Sequence, residues 1–142
     1  MQNFDGRVAV ITGGASGIGL GMARSFAQRG MKLVLADLDD AALKNALKEF
    51  GDAGVEVVGR RCDVSKLEEV EALAELATTT YGSVNVLCNN AGVGIPTSAR
   101  KMKLADWKWI IDVDLWGPIY GLNVFLPLIE EAGEGHVNST SS

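Results

Sequence analysis

Short β-branched apolar runs alternate with stretches of helical period along this chain, and glycine or acidic clusters mark most of the changeovers. The run RVAVIT at 7–12 ends at a glycine cluster, the pattern of a parallel strand covered on both faces. Beyond the glycines, Ile18, Met22 and Phe26 recur every four residues and predict a helix that ends near Gly30. KLVLAD at 32–37 predicts a second strand, and Asp39 or Asp40 caps a helix whose Leu43, Leu47 and Phe50 share a face. A third strand is expected at 55–61. Ser65 with Glu68 three residues later reads as a capping box opening a helix lined by Leu67, Val70, Ala74, Ala77 and Tyr81.

VNVLCN at 84–89 predicts the fourth strand, and a long apolar stretch at 104–131 predicts a helix with two apolar faces. One face carries Ile111, Leu115, Ile119, Leu122, Leu126 and Ile129. The other carries Trp109, Val113, Trp116 and Tyr120, and Trp107, Trp109 and Trp116 are expected in the core. Gly117 and Pro118 fall inside this helix, so a kink is expected there. The tail HVNSTSS at 136–142 is the candidate fifth strand. Alternating strands and helices specify a parallel sheet with helices on both faces, because parallel neighbours need long crossovers. The expected fold is a doubly wound α/β sheet forming one domain, whose ligand crevice lies beyond the carboxyl ends of the strands.

Composition narrows the function. The 142 residues include 13 lysines and arginines against 18 acids, a formal charge of −5, with no basic run to follow a phosphate backbone. Nucleic acid is therefore not an expected partner. No apolar run reaches the eighteen residues a membrane span requires, and the chain opens MQNFDGRVAVITGG without a signal-peptide pattern. A cytoplasmic, non-membrane protein is the expectation. Cys62 and Cys88 lie in strand-like segments and read as buried thiols. His136 is the single histidine and reads as structural, and the acids Glu130, Glu131 and Glu134 read as a solvated helix end. No metal site is expected.

The chemistry gathers at the strand-to-helix turns. Thr12-Gly13-Gly14-Ala15-Ser16-Gly17-Ile18-Gly19 offers close backbone approach, and free N–H groups at a helix start suit a pyrophosphate. The turn lacks the Gly-Lys-Ser/Thr ending of a nucleoside-triphosphate P-loop. Asp37 ends the second strand, placed to accept hydrogen bonds from an adenosine ribose diol. A 2′-phosphate there would meet like charge, and neither Ser16 nor Leu38 supplies a cation, so NAD is favoured over NADP.

TGGASGIG, the acidic end of LADLD, CDV, and NNAG after the fourth strand together resemble the ordered motifs of the short-chain dehydrogenase/reductase family. The resemblance covers essentially the whole chain and implies a Rossmann-type sheet that stops after its fifth strand. It implies that Gly13, Gly14, Ser16, Gly17, Ile18 and Gly19 wrap the pyrophosphate and adjoining ribose. Asp37 and Leu38 would sit at the adenosine ribose, and Asp63 and Val64 at the adenine. Asn90, Ala91 and Gly92 would pass beside the nicotinamide-side ribose. The implied activity is hydride transfer between NAD(H) and an alcohol or carbonyl substrate.

Aligning GHVNSTSS with the family's fifth-strand motif places its catalytic serine at Ser142, with Ser141 as the fallback. VDLWG puts Asp114 where the family has an active-site asparagine; a carboxylate keeps the acceptors and loses the amide donor. No Tyr-x-x-x-Lys occurs in the 142 residues. A noncatalytic or truncated dinucleotide-binding module is therefore the main alternative, and a methyltransferase holding an adenosyl cofactor is the third. Family members pair the long helix with a following one in dimers, so a homo-oligomer through 104–131 is a further expectation of the resemblance.

Overall fold

The computed structural model describes residues 1–141. Its five strands, β1 (Val8–Thr12), β2 (Lys32–Asp37), β3 (Val57–Arg61), β4 (Val86–Asn89) and β5 (His136–Ser139), form one parallel sheet in the order β3-β2-β1-β4-β5. The helices are α1 (Gly17–Gln28), α2 (Asp40–Asp52), α3 (Leu67–Tyr81), α4 (Leu104–Ile111) and α5 (Gly117–Ala132). Strand order reverses between β1 and β4, where a doubly wound sheet opens its crevice. This is the Rossmann-type architecture that the sequence implies.

Alternation within each strand builds two cores. Val8 and Val10 with Val34 and Ala36 face α3 and α5, joining Leu73, Leu87, Val113, Phe125 and Ile129. Ala9 and Ile11 with Leu33 and Leu35 face α1 and α2, joining Met31, Leu43, Phe50 and Val86. Burial on both faces is why the first two strands read as continuous apolar runs. Among the described residues, no helix is long and apolar enough to cross a membrane.

Several local expectations change. β3 begins at Val57 and β4 at Val86, each two residues later than the apolar pattern marks. The Ser65–Glu68 capping box does not form. Lys66 is the N-cap residue of α3, the Ser65 hydroxyl turns back to donate to Asp63 Oδ1, and Glu69 accepts from the Asp63 N–H. The Asx-type turn of Asp63 captures the serine that would otherwise cap the helix.

The long helix is interrupted as well. A π turn, Asp112–Trp116, joins α4 to α5, and Pro118 falls in the first turn of α5, where its missing N–H costs least. Gly117 packs on Val64, with space for a side chain closed by Val64 Cγ2 at 2.8 Å from an added Cβ. Trp107, Trp109 and Trp116 are 45%, 43% and 44% exposed, so the expected core placement is wrong. Of the stripe Trp109, Val113, Trp116 and Tyr120, only Val113 is buried.

Both cysteines are buried, as read from the sequence. Burial pushes each thiol up to about 11, aided at Cys62 by the charge of Glu69. The thiolate is the nucleophile, so neither cysteine is expected to react with a thiol reagent at pH 8 until the protein unfolds. Because both folded-state values lie above the ordinary value of 9.0, their contribution to stability is complete below about pH 9. It is lost as pH rises through 11. Thiol titration with and without denaturant checks both statements, and fast labelling of the folded protein at pH 8 contradicts them.

Candidate functional site

The glycine-rich turn is shaped by contacts that only glycine permits. Gly13 and Gly17 have φ of +62° and +53°. A Cβ on Gly19 would collide with the Gly13 carbonyl oxygen, and one on Gly14 would lie 2.9 Å from the Ile11 carbonyl oxygen. Gly14 and Gly19 therefore press the first turn of α1 against β1, Gly13 packs on Ala91 and Asn90, and Ser16 and Gly17 face outward. Ser16 is the N-cap residue with no side-chain cap bond, and the first turn of α1 holds no acid. By contrast α2, α3 and α4 each carry an acid in their first turn. The N–H groups and positive dipole end of α1 are left for an outside anion.

Two clefts meet at this turn. The first, about 290 Å³, is lined by Gly13, Ser16, Asp37, Leu38, Asp63 and Val64 together with Cys62, Asn90, Ala91, Gly92, Val93 and Val113. The second, about 460 Å³, lies on the β4–β5 side and is lined by Ile18, Gly94, Asp114, Pro118, Thr140 and Ser141. Asn90, Ala91, Gly92 and Val93 line both, so the two are halves of one groove across the carboxyl ends of the strands. Nine of the expected residues line the first half or the wall it shares, and Ile18 and Asp114 line the second. Gly14, Gly17 and Gly19 line neither and shape the turn instead. Ser142 lies outside the described residues.

The acids of the first half have acceptor capacity in reserve. Asp37 Oδ2 accepts from the Ala15 N–H at 3.1 Å, and its Oδ1 accepts from the Asp39 N–H at 3.1 Å. A carboxylate has about four acceptor sites, so two remain, the number a ribose diol uses. Asp63 Oδ1 accepts from the N–H and hydroxyl of Ser65 at 3.0 and 2.6 Å, leaving Oδ2 open toward an exocyclic amine. Glycine cradle, bare helix terminus and spare acceptors together fit an adenine dinucleotide.

The shared wall is held by Thr12, which opens the glycine-rich turn and is not among the site residues expected from the sequence. Thr12, 5% exposed, accepts from the N–H groups of Asn90 and Ala91 at 3.0 and 3.1 Å, while its hydroxyl donates to the Cys88 carbonyl at 3.3 Å. The signal in the sequence is a hydroxyl ending an otherwise apolar strand, which gains its meaning once that hydroxyl is buried. The Asn90 amide donates to the Gly13 carbonyl and accepts from the Thr140 hydroxyl, bridging β1 to the end of β5. On the far side Asp114 Oδ1 accepts from the Val93 N–H at 2.8 Å, tying the wall to the π turn.

A family model described as short chain dehydrogenase matches residues 7–142. The chain belongs to the short-chain dehydrogenase family. A Mycobacterium tuberculosis relative bearing the name oxidoreductase SadH is 37% identical over 142 residues, covering 100% of this chain and 51% of its own length. The chain thus spans about half the length of the curated relatives it matches. A crystal structure of a Burkholderia phymatum short chain dehydrogenase/reductase in complex with NAD is 43% identical, with a TM-score of 0.96. It is covered over 51% of its chain and covers 100% of this one. A metagenomic short-chain oxidoreductase in complex with NADP is 35% identical, with a TM-score of 0.91, over 99% of this chain and 64% of its own. Short-chain dehydrogenases in complex with NAD and with NADP therefore share this fold closely, and a nicotinamide dinucleotide is the ligand class common to both.

Proposed function

We propose that this chain is the cofactor-binding portion of an NAD(H)-dependent oxidoreductase acting on an alcohol or carbonyl substrate. The observation that carries the reading is Asp37 at the rim of the first cleft, with no lysine or arginine among the described residues lining that cleft. Its two spare acceptor sites suit a free ribose diol, and its charge opposes a 2′-phosphate. Leu38 closes over the same end, and Val64 offers an apolar surface beside the Asp63 acceptor. The bare terminus of α1 holds the pyrophosphate by backbone N–H groups.

Bound there, the nicotinamide supplies hydride-transfer chemistry, which the side chains alone do not have. The chain's own residues bind and orient. Thr12 and Asn90 fix the shared wall, Asp114 fixes its far end, and Ile18 and Pro118 restrict water in the second half. Ser142 or Ser141 would hold the substrate oxygen, by the family's fifth-strand pattern. The half-exposed apolar side chains along 104–131 support association of copies through this helix pair.

Calorimetric titration with NAD+ and NADP+ tests the reading. NAD+ is expected to bind more tightly, and Asp37→Ser, which keeps an acceptor for the Ala15 N–H, to reduce that preference roughly ten-fold or more, the value of one or two charged hydrogen bonds. Equal affinity for both nucleotides in the parent chain contradicts NAD selectivity. Formation of NADH at 340 nm from NAD+ and any of a panel of primary and secondary alcohols excludes the noncatalytic module.

A further inference from the structure

The two acids of the π turn meet different surroundings. Asp112 pairs with Lys108 at 2.5 Å, whereas Asp114 enters none of the ion pairs found among the described residues. Asp114 spends one oxygen on the Val93 N–H and lines the second half of the groove. Every other described residue lining that half is uncharged. One carboxylate therefore sets the electrostatic character of this half.

The adenosine-type acceptors Asp37 and Asp63 lie in the first half, and the anion-binding terminus of α1 lies at the junction. A dinucleotide that places its adenosine and pyrophosphate on those groups must extend its other end into the half that holds Asp114. That end differs in charge between its two redox states: the oxidised nicotinamide ring is a cation and the reduced ring is neutral. We propose that Asp114 makes the groove discriminate between them, favouring NAD+ over NADH. This rests on the dinucleotide reading above. A carboxylate at this position biases the bound population toward the oxidised cofactor, whereas an amide at the same place carries no such bias.

The charge is separable from the structural role. Asp114→Asn retains a carbonyl oxygen for the Val93 N–H, so the wall keeps its tie to the π turn while the charge disappears. Calorimetry with NAD+ and with NADH on the parent chain and on Asp114→Asn, in low salt, gives the ratio of the two dissociation constants for each protein. The NADH-to-NAD+ ratio is expected to fall roughly five-fold in the variant, the effect of one charge several ångströms away in a largely aqueous dielectric. Raising ionic strength from about 0.02 to 0.5 M is expected to shrink the parent ratio and leave the variant's nearly constant.

A purely structural role for Asp114 changes the two affinities in parallel, so an unchanged ratio overturns the proposal while the dinucleotide reading stands. Failure of both nucleotides to bind the folded parent chain overturns the dinucleotide reading and this inference with it. A melting temperature matched between parent and variant shows that the ratio reports charge rather than folding.

Discussion

Gly19→Ala is expected to weaken NAD+ binding by roughly 100-fold, as if two charged hydrogen bonds were lost together. The added methyl group cannot coexist with the Gly13 carbonyl and also lies 2.6 Å from Asn90 Nδ2, so the turn must lift away from β1. Its displacement swings the first N–H groups of α1 off the groove and strains the Asn90 bond to Gly13. Alanine's better helix propensity, about 1 kcal/mol, opposes an overpacking cost of about 1–3 kcal/mol, so stability changes less than binding does. Gly21→Ala is the matched control, since its added Cβ meets nothing within 4 Å on the same helix. Calorimetric titration of both variants decides the matter. Retention of affinity within two-fold in Gly19→Ala means that this turn does not hold the dinucleotide.

Thr12→Val carries the largest expected loss of stability tied to the site. Valine has the shape of threonine but leaves the part-buried N–H groups of Asn90 and Ala91 without their acceptor. A fully buried unsatisfied donor costs about 1–3 kcal/mol, so for two part-buried ones a loss of about 1–3 kcal/mol in all is expected after relaxation. Binding should weaken too, because the wall shared by both halves of the groove loses its anchor. Thr12→Ser keeps the hydroxyl and should recover most of both losses. Urea denaturation of the three proteins checks the stability order, and Thr12→Val matching the parent would show that the wall is held by Asn90 alone.

Much of this arrangement can be read from the chain because the central strands β1, β2 and β4 are buried on both faces and the helices on one. That contrast separates the two periods in the sequence and makes five strands and their crossovers visible. The first half of the groove is legible for a related reason: its residues cluster at strand ends, where side-chain type and backbone need coincide, as at Gly13, Asp37 and Asp63. The bracing of the wall by Thr12 is less visible, since a threonine at a strand end is ordinary until its burial is known. The Ser65 expectation failed because Asp63 competes for the same hydroxyl, a choice made by three-dimensional position rather than spacing.

The tryptophans mark a different boundary. Apolar periodicity shows that Trp109 and Trp116 share a face, but the identity of the surface meeting that face is not encoded in the period. They proved half-exposed because Val113, one position around the helix, takes the place against the sheet. The π turn was equally hidden, since one residue beyond α-helical spacing leaves the apolar pattern almost intact over so short a stretch.

That extra residue has a consequence for everything after it. Each residue turns an α-helix by about 100°, so inserting one without lengthening the backbone path resets the angular phase of α5 relative to α4. The reset brings the small faces of Gly117 and Gly121 onto Val64 and the Asn89 side chain, where any Cβ would obstruct the approach. The helix thus carries two sequence phases in one rod: one aims Asp114 at the groove, and the other seats Gly117 on Val64 and Gly121 on Asn89.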